Sequence, residues 1–395
     1  MNLNIFSEAE KLYGRMKEYS SYLKNNAESG FDLEKTYNYV FDKLTQLGLS
    51  PKKCGKCGIY ADVYGQKKGG LFLLRADMDA LKGIDNENCE KITHACGHHL
   101  HTSMLLGAAE ILKKNSDKLC GAVRLMFQPA EEILEGAKDM ISGGVLEPRP
   151  DAAMMIHVLS GVELPCGSVV VSSGGISAPA ADFFRINVQG KGTHGALSHQ
   201  GIDALSVAAY TITALNEIKA RELAIDEIAA ITVGKLEGAH VANVIPDNVY
   251  IEGSTRSFDE KLREKIKERI CKISENIALA FRAEAEVSFI RGCPTLKNDE
   301  RLSKFTFESL REIMGSENVI RSDSVDRPNL NGGSEDFSYV SQVIPSIMIG
   351  VCAGDKKDGY VEPLHHPKVR FDERALVVGA AAYTCVAMNF LSGKE

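Results

Sequence analysis

The pattern of apolar residues changes character near Asp182 and changes back after Pro294, and this interruption restricts the chain to few architectures. Between those points 183–188 alternates as a strand, 203–218 has helical spacing, and 229–236 and 249–256 are strands. A long helix over 259–281 and a strand over 285–289 complete the segment. Strand, helix, strand, strand, helix, strand is the order of a ferredoxin-like sandwich, complete within about 110 residues. Outside it, strands at 71–74, 122–127, 152–157 and 346–350 alternate with helices at 102–112, 135–141 and 300–314. That is the signature of an α/β sheet with helices on both faces. The expected architecture is therefore a discontinuous α/β domain, 1–181 and 293–395, carrying an inserted α+β domain, 182–292.

Residues 1–50 read as two amphipathic helices, one on Phe6, Leu12, Met16, Tyr19 and Leu23, the other on Leu33, Tyr37, Val40, Leu44 and Leu47. The uncharged run 375–391 is near the minimum for a membrane span. Its alanines, Gly379, Thr384 and Asn389 fit a buried helix better. A net charge of -7 offers no global attraction to nucleic acid or an anionic membrane. Glu8, Glu10, Lys11 and Arg15 stand where a signal peptide needs an apolar run, so a cytoplasmic chain is expected. In that compartment ten cysteines stay reduced. Cys54 and Cys57 have the spacing of a redox or zinc pair but, with no second CxxC following, are expected in a surface turn, and Cys166, Cys271, Cys293, Cys352 and Cys385 as core fillers.

The histidines are concentrated. His94, His98, His99 and His101 fall within eight residues, with Cys96 among them, directly before a helix. Cys96 and His98, in the loop entering that helix, suit one cation with mixed N, S and O ligands, such as Zn, Co, Mn or Fe. Glu131–Glu132 and His157 follow at the ends of apolar strands, and His365–His366 in a Pro-bounded turn. Loops at the carboxyl ends of strands converge on one crevice in such sheets. Of two adjacent glutamates, one can hold a metal while the other takes a proton.

RADMDAL, HACGHHLHTSMLLGAA, FQPAEE, IHV, GKGTHGALSH, NVIPDN, GGSEDF and LHHP occur in that order along nearly the whole chain. This set resembles the metal-dependent amidohydrolases of the M20 peptidase clan, nearest to its hippurate hydrolases, auxin-conjugate hydrolases and N-acyl-amino-acid deacetylases. The resemblance implies a zinc-peptidase-like catalytic domain with a mixed central sheet and an inserted lid that forms a homodimer. It implies two divalent ions (Mn, Zn or Co) held by Cys96, His98, Glu132, His157 and His365, with Glu131 as general base. Asp79 would orient ligands, and Asp77 stands where other clan members have a ligand His. His194, often supplied by the partner subunit in this clan, would stabilise the oxyanion. Asn243 and Arg256 would receive the substrate carboxylate, and Glu335 would support the site from behind. The substrate implied is a small amide, foremost an N-acyl amino acid; a dipeptide, a carbamoyl compound or a non-catalytic ligand-binding role are the alternatives.

Three positions depart from the clan's pattern. His99 replaces the acid of CGHD, and an imidazole there does not offset the charge of the metals. Lys82 and Ser198 each replace a customary proline, at positions that bear on the pocket rim more than on the ligands.

Overall fold

The structure, a computed structural model, describes residues 4–83, 90–238, 240–321 and 333–393. Two compact units are present, one built on Ala178–Leu296 together with 333–335, the other on the chain before it, up to Ser177, and after it, from Lys297 and again from Asp336.

The first unit is organised on an eight-stranded mixed sheet. From one edge the order is Lys52–Cys54, Gly58–Tyr64, Cys120–Gln128, Lys67–Asp77, Ala152–Leu159, Ser346–Cys352, Val169–Val171 and Val319–Arg321. The central four, Cys120–Gln128 to Ser346–Cys352, run parallel to one another. Central strands buried on both faces need continuous apolar runs. Phe72, Leu73, Leu74, Leu125, Met126, Phe127 and Ala153–Ile156 are accordingly inaccessible. Helix His98–Lys114 and helix Ala375–Leu391 pack on this sheet, the latter buried along almost its whole length. Tyr383 ties that last helix to two strands: its hydroxyl donates to the Arg75 carbonyl and accepts from the Ile156 N–H. No helix among the described residues is long and apolar enough to cross a membrane.

The second unit is a four-stranded antiparallel sheet in the order Ala229–Glu237, Asn248–Ser257, Ala180–Gln189, Glu284–Cys293. Phe184, Ile186 and Val188 point to one face. There they form a core with Ala204, Val207 and Ala208 of helix Ala204–Glu217 and with Leu262, Ile266 and Ile270 of helix Glu260–Ala280.

Several local expectations are corrected. The first amphipathic stretch is two helices, Ile5–Lys11 and Tyr13–Asn25, broken at Leu12. The helix expected from 102 begins at His98, so three histidines occupy its first turn rather than the loop before it. Cys54 and Cys57 do flank a hairpin turn, but the thiols point inward. Cys54, 2% exposed, donates to the Met140 carbonyl and Cys57 to the Phe31 carbonyl. Cys166 and Cys271 are only half-buried, unlike Cys293, Cys352 and Cys385.

Candidate metal centre

The site forms at the carboxyl ends of the parallel strands. Strand Lys67–Asp77 delivers Asp77 and Asp79, strand Cys120–Gln128 runs out into Glu131 and Glu132, and strand Ala152–Leu159 carries His157 near its end. Cys96-Gly97-His98 is a tight entry into helix His98–Lys114. Gly97 has φ +89°, in the left-handed region that glycine adopts without strain. A Cβ there would lie 2.3 Å from Val158 Cγ2, so glycine also lets Cys96 and His98 close onto the His157 strand. His365 has φ +66° and donates its N–H to the Ala95 carbonyl at 3.0 Å, which fixes the 363–366 turn beside Cys96.

Cys96 is the centre of the group. Its Sγ is 3.4 Å from His157 Nε2 and 3.3 Å from His365 Nε2. His98 Nε2 lies 3.6 Å from Glu132 Oε1 and 3.8 Å from Glu131 Oε2, and His365 Nε2 is 4.0 Å from Glu132 Oε2. The ligand atoms of Cys96, His98 and His157 lie within 4.8 Å of one another, as do those of Cys96, Glu132 and His365, and of His98, Glu131 and Glu132. Cys96, His98 and Glu132 thus each belong to two of these overlapping sets, which gives room for two neighbouring cations. His366 is turned elsewhere, its Nδ1 3.2 Å from Glu362.

Burial and charge reinforce this. Burial alone would raise the Cys96 thiol, but His157 and His98 beside it hold it well below the usual thiol range. Burial opposes protonation of His157, yet Cys96 raises it to about 9. Glu132 is pushed well above the carboxylate range by burial and by Cys96. His98 Nε2 and Glu132 Oε1 are buried without a hydrogen-bond partner. Orphaned polar atoms 3.6 Å apart in so acidic a pocket are costly unless a cation satisfies both, and a thiolate, imidazoles and carboxylates are a fitting donor set for Zn, Mn or Co.

The supporting layer is dense. Asp79 accepts the backbone N–H groups of Glu131 and Glu132, and its main-chain carbonyl meets His98 Nδ1 at 2.8 Å, leaving Nε2 toward the group. His101, whose two nitrogens are both engaged, joins Asp77 Oδ1 at 2.6 Å to the Val158 N–H at 2.8 Å. Beneath lies Arg75, wholly inaccessible, bonded to Gln128, Asp77 and Asp336. Asp336 also accepts from Gln128 and from the Ala137 N–H. The sequence reading missed Arg75, His101 and Asp336. A charged residue inside LFLLRAD and the three-residue spacing from His98 to His101 were the available signals.

His99 is 3% exposed, and its ring packs edge-on against Phe371 and beside His94. Burial, with His94 and Lys24 nearby, holds it well below the usual imidazole range, so it is neutral. Glu335 is buried and directly precedes Asp336.

His194, Asn243 and Arg256 belong to the second unit. Strand Thr193–His194 pairs with Val244–Ile245, and Gly195 donates to the Asn243 carbonyl, so His194 and Asn243 flank one short ribbon. His194 Nδ1 accepts the Ala196 N–H, which leaves the proton on Nε2. Arg256 is half-buried over the Phe183 ring and donates to the Thr255 carbonyl. Lys82 pairs with Glu90 at 2.6 Å, and Ser198 lies in the exposed turn after His194.

The sequence profile of peptidase family M20/M25/M40 matches residues 73–389. The chain is 38% identical over 328 residues to an N-acetyl-L-cysteine deacetylase of Bacillus subtilis, covering 82% of this chain and 75% of that protein. It is 34% identical to the IAA-amino acid hydrolase ILR1-like 4 of Arabidopsis thaliana, covering 93% and 84%. A crystal structure of a dinuclear metal-binding M20 peptidase from Bacillus subtilis superposes with a TM-score of 0.76 at 25% identity, covering 97% and 99%.

Proposed function

We propose, for a chain that belongs to peptidase family M20/M25/M40, that it is a metal-dependent amidohydrolase whose substrate is an N-acyl amino acid or a similar carboxylate-bearing amide. The observation that carries this reading is the convergence of Cys96, His98, Glu132, His157 and His365 with Glu131 at their edge. Those five side chains would hold two divalent ions, Mn, Zn or Co. When bound, the ions supply Lewis acidity and lower the pKa of water.

Each remaining residue has a task that follows from its surroundings. Glu131 is held at its backbone by Asp79 while its carboxylate faces His98. It takes the proton of the attacking water and returns it to the departing amine. His194, protonated on Nε2, donates to the oxygen that gains negative charge. Arg256 and Asn243 receive the substrate carboxylate; Arg256 suits this because no carboxylate pairs with it among the described residues. Glu335 and Asp79 stabilise the arrangement from behind. The homodimer belongs to the same reading and is supported by the strand Ala229–Glu237, which has a free edge among the described residues, carries exposed Leu236 and follows exposed Ile228.

The test is Glu131→Gln. Elemental analysis should find unchanged metal, while hydrolysis of N-acetyl amino acids falls by about 100-fold or more. A variant that retains full turnover would remove Glu131 from the mechanism.

A further inference from the structure

Two guanidinium groups share one aromatic ring on the helix-free face of the second unit. Arg256 sits over Phe183 at 5.2 Å from the ring centre and Arg291 at 4.3 Å. The ladder sets this geometry. Arg291 stands directly opposite Phe183, and Arg256 opposite Ala181, two residues along and therefore on the same face. Phe184, Ile186 and Val188, of opposite parity, fill the core on the other side.

Neither arginine has a carboxylate partner among the described residues. The contrast within the same unit is clear: Arg185 is paired with Glu252, Arg263 with Asp182 and Glu260, and Arg269 with Glu222. Both Arg256 and Arg291 are half-buried, so their mutual repulsion is less screened than at an open surface. Burial lowers the Arg256 guanidinium, Cys293 and Asp182 nearby raise it in part, and the neighbouring Arg291 acts to lower it. Stacking on Phe183 offsets part of this cost without neutralising either charge. Two aromatic-braced cations with no carboxylate in direct contact among the described residues form a receptor for an anion with two negative groups.

We propose that Arg291 is a specificity-determining residue: together with Arg256 it selects substrates bearing a second carboxylate, namely N-acyl derivatives of aspartate or glutamate. Arg256 takes the α-carboxylate and Arg291 the side-chain carboxylate. Two forked donors on one ring suit the short span of an acidic amino acid, with charge-assisted hydrogen bonds at each end. The turnover part rests on the amidohydrolase reading; the binding part does not.

The experiment compares N-acetyl-L-glutamate with its neutral isostere N-acetyl-L-glutamine on the full-length metal-loaded protein. Wild type should favour the glutamate by about tenfold or more in kcat/KM, the scale of a hydrogen bond to a charged group. Arg291→Gln should abolish that preference and leave the glutamine substrate little changed. Arg291→Lys, which keeps the charge but not the fork, should retain part of it. In parallel, calorimetry measures glutarate against its monoamide, which needs no catalysis. Wild type should bind glutarate more tightly, and Arg291→Gln should erase the difference. Equal use of both substrates, equal binding of both probes, or an equal loss on both substrates in Arg291→Gln overturns the proposal. Arg291-dependent glutarate binding without hydrolysis of any amide upholds this site while overturning the amidohydrolase reading. Should Arg291→Gln not fold, the wild-type preference and the Arg291→Lys variant decide the matter by the same comparisons.

Discussion

Asp79 accepts the backbone N–H of Glu131 at 3.0 Å through one carboxylate oxygen, and its second oxygen takes the adjacent N–H of Glu132 at 3.2 Å. One buried carboxylate thus fixes the turn that presents both glutamates, while its own carbonyl orients His98. The position of both glutamates is set from the backbone, not from the side chains around them.

Replacing Asp79 by Ala should therefore weaken metal binding although Asp79 is not among the five proposed ligands. A loss of about 10- to 100-fold in affinity is expected, the usual effect of removing a group that orients ligands. Competitive titration of the metal-free protein with a chromophoric chelator measures it. Undiminished affinity would show that the turn holds without this carboxylate.

Gly97→Ala should be destabilising and should also disturb the site. The new methyl group would meet Val158 Cγ2 at 2.3 Å on a backbone held at φ +89°. Left-handed strain and overpacking each cost about 1–3 kcal/mol. Urea unfolding reads the stability, and metal stoichiometry reads the displacement of Cys96 and His98. A wild-type unfolding midpoint would mean that the strand withdraws freely.

The Arg75–Asp336 contact, 3.1 Å between wholly inaccessible side chains, behaves unlike a surface pair. Asp336→Ala leaves the Arg75 charge with less compensation and strands the Ala137 N–H, at about 3–5 kcal/mol. Breaking the exposed Lys267–Glu264 pair by Glu264→Ala should cost about 0.5 kcal/mol or less. Comparing the two by urea unfolding tests the assignment, and equal effects would refute it.

Acid sensitivity follows from the buried imidazoles. Burial lowers His94 to about 3 and His101 to about 4, whereas an unfolded histidine takes its proton near 6.5. Across the interval the unfolded chain binds more protons, so stability rises with pH. Their contribution is complete above about pH 6.5 and is lost as pH falls toward 4 and then 3. In the metal-free protein, His94→Leu should flatten the decline of the unfolding midpoint between pH 6.5 and 4. An unaltered slope would assign the acid sensitivity elsewhere.

Much of the fold was legible because period and length carry it. Largely apolar runs such as 122–127 announce buried strands, and 259–281 is long enough to read as a helix. The observed helix is Glu260–Ala280, and Asp259 accepts the Leu262 N–H as its cap. Leu12 escaped notice because an apolar residue keeps helical spacing across a break. At the site, the positions of Cys96, His98, Glu131 and Glu132 were readable because motif and strand end coincide. Arg75, His101 and Asp336 were not, since their roles depend on which distant segments meet. A buried arginine looks like any other in sequence until its partners, 53 and 261 residues away, are in place. That Arg291 meets no carboxylate among the described residues is invisible for the same reason: which charges meet is a property of three dimensions.

Strand Ser346–Cys352 lies in the middle of the large sheet, paired in parallel with Ala152–Leu159, although the whole second unit intervenes between them in the chain. During synthesis the strand bearing His157 must wait, one flank open, until that second unit has emerged and the chain has returned. His365 arrives later still. The nascent protein cannot bring the proposed ligands together before His365 has left the ribosome, so on the proposed reading metal capture would mark a chain that is nearly finished.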